Sequence, residues 1–350
     1  MASNDFLVFA GGGAANVVSQ AVYAASSWII NGFSSGTAAS NQLNKVWRQS
    51  SIISTVIAQY IADISGANSV DDGTTATLLA NFKLALITQF RLKLTAPTTF
   101  YVATTGSDST GTGTSLLPWL TIQHALNYLQ TSIDLNGFQA TISVANGTYT
   151  LGGAITTMPP GATAGVPIQI IGNVTTPTSC IINVTSGNCF YFANAVSALV
   201  DGFSLAATGS APTGNAIVAT AAAQVQVGTH IIFGLCSTAH LWCTESASLF
   251  LTGGYTISNT ASYHVLASLA GYVQMTGATI TLSGTPAFSS AFFNVQTAAT
   301  LQGTGVTYAG TGATGTKYLV SYNGILLTGG ALSSIPGTVT TAPTAGGQAA

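Results

Sequence analysis

Beyond residue 96 the chain carries four carboxylates, Asp108, Asp134, Asp201 and Glu245, a single lysine, Lys317, and four histidines, His124, His230, His240 and His264. These side chains bound the chemistry available there. Hydrolysis of a glycosidic bond needs two carboxyl groups, about 5.5 Å apart in a retaining enzyme or roughly 6.5–9.5 Å apart in an inverting one. Asp201, directly before Gly202, and Glu245, eight residues before Gly253, are the candidates for such a pair, but nothing in their spacing brings them together. A lyase would want a basic residue, and Lys317 is the sole Lys or Arg after residue 93. A Ser–His–Asp arrangement stays open among so many serines, although no Gly-x-Ser-x-Gly elbow occurs. The glycine runs Gly11-Gly12-Gly13 and Gly152-Gly153 lack the lysine of a phosphate-binding loop.

Metal chemistry has equally little to work with. Cys180, Cys189, Cys236 and Cys243 show no C-x-x-C spacing, and His240 lies between two of them without a zinc-site interval. No metal or cofactor is expected, and the thiols read as reduced, buried, small apolar groups. Binding has better support. His240, Trp242, Tyr255, Tyr263 and Tyr272 cluster with Asn, Thr and Ser nearby, and aromatic faces beside hydroxyls suit carbohydrate. The competing reading is that some of these rings fill the interior.

The surface that would present them is unusual. Only 14 of 350 residues are charged, or 4%, while 47% are apolar; an ordinary domain carries about 25% charge. Thr, Ser, Asn and Gln therefore replace charge. Six basic residues at a net charge of -2 cannot build a phosphate-neutralising stripe, so nucleic-acid binding is excluded. A mean hydropathy of +0.48 raises the question of a membrane. Yet no run of about 18 apolar residues exists, and the best stretch, Val17 to Phe33, is broken by Ser19, Gln20, Ser26, Ser27 and Asn31. The start, Met-Ala-Ser-Asn-Asp, lacks a positive n-region, so no signal peptide is expected. An assembled particle is the more natural setting for so uncharged a surface.

Charge also divides the chain. Nine charged residues precede Pro97 and five follow it, which places domains at 1–96 and 97–337, with 338–350 as an extended or frayed tail. The first block reads helical. Leu43, Val46, Ser50, Ile53, Ile57, Tyr60 and Ile64 alternate steps of three and four, a heptad seam ended by Ser65-Gly-Ala-Asn. Asp71-Asp72-Gly-Thr precedes a second periodic stretch through Leu78, Leu79, Phe82, Leu86 and Phe90. Either the two stripes pack on each other or the seam packs on copies of itself.

After Pro97 helical periodicity survives only in Thr121–Leu129, with Ile122, Ala125, Leu126 and Leu129 on one side. Elsewhere short Val/Ile/Thr/Phe/Tyr runs alternate with Gly and Asn. A glycine closes an apolar run at 172, 202, 228, 253, 277, 305 and 329, at intervals of 30, 26, 25, 24, 28 and 24. A period near 25 with two or three short strands per cycle is what one rung of a parallel β-helix needs. The expectation is mainly β: a right-handed parallel β-helix of roughly ten rungs at about 4.8 Å each, preceded by a small α-helical domain.

Two stretches carry resemblances. Asp5-Phe-Leu-Val-Phe-Ala-Gly-Gly-Gly-Ala-Ala-Asn-Val-Val-Ser-Gln and Gln42-Leu-Asn-Lys-Val-Trp-Arg-Gln-Ser-Ser together resemble the N-terminal module of bacteriophage tail fibre and tail spike proteins, over roughly residues 4–92. That resemblance implies attachment to the virion, with Trp47 and Arg48 as docking candidates. Phe100-Tyr-Val-Ala-Thr-Thr-Gly-Ser-Asp and Leu117-Pro-Trp-Leu-Thr-Ile-Gln-His-Ala-Leu resemble the opening of pectin-lyase-like right-handed parallel β-helix proteins, with Asp108 as a turn residue. Together they imply a homotrimeric virion component of the tail, made in the host cytoplasm. It would bind other tail or baseplate proteins and host cell-surface polysaccharide. A capsule or lipopolysaccharide depolymerase and a purely structural baseplate component are the alternatives.

Overall fold

The computed structural model describes residues 2–163, 165, 167–330 and 332–350, with the side chain of Ile87 left aside. Two compact units divide between Leu92 and Lys93.

In the first unit the heptad seam lies on a helix, Ser40–Ser65, that stops at Gly66, whose φ of 70° suits a left-handed cap. The second periodic stretch is the helix Ala76–Gln89. Asp72 closes the turn before it, accepting from the amide and hydroxyl of Thr74. Two short helices, Gln20–Ala24 and Trp28–Asn31, occupy the broken apolar stretch. Among the described residues no helix is long and apolar enough to cross a membrane.

The two helical stripes do not pack on each other as whole faces. Ala58, Ile61 and Ala62 of the long helix and Ala85 of the second are buried, whereas Leu79, Leu86 and Phe90 stay exposed. Alanines let the backbones approach, Leu78 and Phe82 are half-buried, and the other large side chains of the second stripe are left outside.

The second unit is a parallel β-solenoid of about eight turns, over residues 140–349. Each full turn lays one strand in each of three sheets. The first sheet stacks ten strands from Thr98–Val102 to Gln348–Ala349, the second stacks seven and the third eight. All pairings between turns are parallel. In the first sheet Ile168 lies between Ala140 and Ala198, and Ser197, Gln224, Ser248 and Tyr272 follow one another from turn to turn. One strand alone cannot bury its inward row, but stacking makes those rows a continuous core of Val, Ile, Leu and Phe. Eight turns are fewer than the ten expected. The opening from Pro97 to Gln139 spends its residues on a capping strand, a loop and the helix Ile122–Ser132 instead of on coils.

That opening is held by one carboxylate. Asp108 accepts from the amides of Leu120 and Thr121 and from the Thr121 hydroxyl, at 2.8, 3.0 and 2.6 Å. Thr121 in turn caps the helix through the His124 amide. Ile122, Ala125, Leu126 and Leu129 are buried beneath it. Partial burial pushes the Asp108 carboxyl up, but the Thr121 and Leu120 hydrogen bonds outweigh it and hold the group below its usual value. Asp108→Ala is expected to cost about 2–3 kcal/mol, measured as a drop in the denaturant midpoint.

The glycine series marks the corner after the first sheet, where Gly202, Gly277, Gly305 and Gly329 have φ between 61° and 82°. The corner between the third sheet and the first has a different device. Two consecutive residues sit in the left-handed region at Asn194-Ala195, Ala221-Ala222, Glu245-Ser246, Leu269-Ala270, Thr297-Ala298 and Tyr322-Asn323. The second amide of each pair donates to the turn above, as in Ala222 to Glu245, Ser246 to Leu269 and Ala270 to Thr297. A β-branched residue is strained in that conformation. Exposed Thr297, at φ 54°, replaced by Asn is therefore expected to raise stability by about 1 kcal/mol, read as a higher melting temperature; a lower one would contradict it.

Residues 338–350 run along the last turn. Lys317 donates its amide to Val339, Thr344 to Val320 and Gln348 to Gly324. The short 3-10 turn Leu332–Ser334 precedes Ile335, which is buried at this end of the core.

Candidate functional site

Parallel stacking converts one position per turn into a column. On the outer side of the third sheet the register aligns Ala154, Tyr191, Val218, Trp242 and Leu266. Three contiguous hollows follow this column and the adjoining corner, with volumes of ≈ 260, ≈ 390 and ≈ 360 Å³. Leu151 lines both of the first two, and Asn188 and Tyr191 line both of the last two. The result is a groove running along the solenoid axis from Thr121 to Ser268. It crosses four coil steps, or about 19 Å at the usual strand spacing.

The groove lining is more apolar than polar and carries one charged side chain. Hydroxyls of Thr148, Thr220, Thr244 and Ser268 line it together with the rings of Tyr191 and Trp242. Its single acidic or basic side chain is Glu245. That carboxylate accepts from the Thr220 hydroxyl at 2.7 Å. The Trp242 indole N–H reaches the Ser268 hydroxyl at 3.4 Å, and that hydroxyl donates to Thr244. Such a lining can stack on sugar rings and exchange hydrogen bonds with their hydroxyls.

The expected aromatic cluster is split between outside and inside. Trp242 and Tyr263 are half-buried on the outer side of the third sheet. Tyr272 is outward on the first sheet, donating to Gln302 and edge-on to Phe250. His240 and Tyr255 are core residues, at 0% and 4% exposure. The alternation of in and out fails here because His240 and Leu241 are consecutive and both buried. Tyr191, two coil steps from Trp242, is the groove residue that sequence reasoning missed. Its signal was the Phe-Tyr-Phe run at 190–192, whose flanking phenylalanines are inward.

Inside, His240 meets His264 of the next turn, Nδ1 to Nδ1 at 3.2 Å. His240 Nε2 donates to the Gly234 carbonyl at 2.9 Å, and the Tyr255 hydroxyl lies 2.7 Å from His264 Nε2. With both rings neutral, one proton arrangement satisfies every group: Tyr255 donates to His264, His264 to His240 and His240 to Gly234. Rings of Phe233, Phe288, Phe292 and Phe293 surround the chain. Burial lowers His240 to about 4, and burial with the neighbouring His240 lowers His264 well below its usual value.

The carboxylates stay apart. Asp201 ends a first-sheet strand, bonding to the amides of Gly202 and His230 and to His230 Nδ1 at 2.9 Å. Glu245 sits in the left-handed turn at the opposite end of that sheet, two turns on. A strand of about five residues separates those corners by roughly 15 Å, beyond the carboxyl spacing of either glycosidase class. The Thr229 hydroxyl lies 3.2 Å from His230 Nδ1, the nitrogen Asp201 occupies, and 3.5 Å from Nε2.

The four cysteines are free and buried. Burial pushes Cys180 up to about 11 and Cys236 and Cys243 to about 12, which keeps them as unreactive thiols. In the first unit Trp47 is 53% exposed, edge-on to Phe9 at 5.7 Å, and Arg48 is half-buried beside it in sequence.

Comparison with protein-family models, with curated proteins and with solved structures finds no match to this chain.

Proposed function

We propose that the chain is a bacteriophage tail fibre or tail spike subunit that recognises an uncharged polysaccharide on the host surface through the third-sheet groove. The observation that carries this reading is the groove itself, which aligns Tyr191 and Trp242 along the axis amid hydroxyls and a single carboxylate. Two coil steps place those rings about 10 Å apart, so an extended sugar chain can stack on both. The uncharged surface and the resemblance of residues 4–92 to virion-attachment modules support the setting, with Trp47 and Arg48 facing a tail or baseplate partner.

The test is binding of the full chain to host-cell polysaccharide. Trp242→Ala, at a half-buried outer position, is expected to weaken binding at least tenfold, about 1.4 kcal/mol or more, with the β spectrum unchanged. Undiminished binding would reject the groove. Release of reducing ends, abolished by Asp201→Asn with Glu245→Gln, would instead identify a depolymerase. No binding at all would favour a structural baseplate part.

A further inference from the structure

The one charge in the groove has no task in the fold. Glu245 opens a left-handed pair at the corner between the third sheet and the first, with φ 52°. The equivalent position is Ala221 in the turn before, Leu269 in the turn after and Thr297 in the next. All of them close the same corner through stacked amides, with Ala222 donating to the Glu245 carbonyl, Ser246 to that of Leu269 and Ala270 to that of Thr297. A corner that accepts alanine, leucine and threonine needs no carboxylate. The exposed Glu245 side chain accepts, among the described residues, one hydrogen bond, at Oε2 from the Thr220 hydroxyl at 2.7 Å. A carboxylate has about four acceptor sites, so most of its capacity is open to a ligand.

Nothing in the groove neutralises it. The three hollows are lined by no lysine, arginine or histidine. Lys317, the sole Lys or Arg after residue 93, donates its ammonium to the Ser333 carbonyl in the last turn. His230 pairs with Asp201 at another corner. An apolar lining beside the carboxylate strengthens its field relative to open water. Glu245 follows the strand Ala239–Cys243 that carries Trp242, and both line one hollow. A sugar stacked on an indole projects its hydroxyls sideways, in the plane of its own ring. The acceptor for them must therefore stand beside the aromatic, at the place Glu245 takes.

We infer that Glu245 determines which saccharides the groove admits: it accepts from two neighbouring hydroxyls of a neutral sugar seated on Trp242 and rejects sugars that carry carboxylates, such as uronic and sialic acids. This rests on the polysaccharide reading above and adds its selectivity. A neutral sugar offers two donors to an acceptor-only group. An acidic sugar brings a second negative charge against the first, with no cation to share.

A matched pair of ligands tests this: neutral host-surface polysaccharide, and the same material with its primary hydroxyls oxidised to carboxylates. The parent chain is expected to bind the oxidised form at least about fivefold more weakly at low salt, and added salt should narrow the gap. Glu245→Gln keeps the side-chain length and an acceptor for Thr220. It should lower neutral binding about fivefold, for the loss of charge-assisted hydrogen bonds, and bring the two affinities together. A carboxylate that merely braces the corner would, when replaced, weaken both forms alike; that unchanged ratio would overturn the inference. So would a parent chain that binds both forms equally while Trp242→Ala still weakens binding, and the groove would then stand without this selectivity. Neutral polysaccharide that does not bind, or binds regardless of Trp242→Ala, would remove the groove reading and this inference together.

Discussion

Phe233→Ala is expected to cost the solenoid about 3–5 kcal/mol, the usual range for removing a fully buried aromatic ring. Phe233 is inaccessible and lies at the centre of the interior polar chain. Its ring stacks on His240 at 5.3 Å and 23°, and meets Tyr255 edge-on at 5.3 Å. Truncation would leave a cavity bordered by the two histidines, large enough to admit water and partly rehydrate them. Two changes should therefore appear together: a lower denaturant midpoint at pH 7 and a rise of the His240 pKa from about 4 toward the ordinary value. Loss of stability without any change in histidine titration would mean that the ring does not exclude water from the pair.

Acidification is the second large effect. Both buried histidines titrate below the unfolded value of about 6.5. Above that pH neither state carries the extra protons, and the stabilisation of the neutral pair is complete. Below it the unfolded chain takes up protons first, so stability falls by up to about 1.4 kcal/mol per pH unit for each histidine. For His240 the fall continues to its folded value of about 4, a total on the order of 3 kcal/mol. A proton forced into the folded state would place charge among phenylalanine rings and leave the Tyr255 hydroxyl without its acceptor. Denaturant titrations between pH 7 and 4 should show this slope, and His240→Phe with His264→Phe should flatten it. An equal slope in the double variant would assign the acid sensitivity elsewhere.

The fold was legible where a backbone requirement maps onto one residue type. The corner after the first sheet needs positive φ or close approach, so glycine recurs at each turn and the period can be counted. The cap was legible because Asp108, Thr121 and the Ile122–Leu129 stripe act over short sequence distances. The other corner was not legible. Its paired left-handed residues are Asn, Ala, Glu, Ser, Leu, Thr and Tyr, held by stacked amides rather than selected by side chain. Without that corner the third strand of each turn could not be placed in register, and neither could its inner and outer sides. That is why His240 joined the carbohydrate candidates while Tyr191 did not. Groove residues from adjoining turns are 24 to 37 positions apart in sequence and become neighbours only through lateral pairing.

Tryptophan emission during titration with host-surface polysaccharide tests the central claim most directly. Of the four tryptophans, Trp28 and Trp47 lie in the first unit, Trp119 is buried under the cap, and Trp242 alone lines the groove. A saturable emission change is expected in the parent chain and absent in Trp242→Phe. Saturable binding that leaves Trp242 emission unaltered would contradict recognition along this groove.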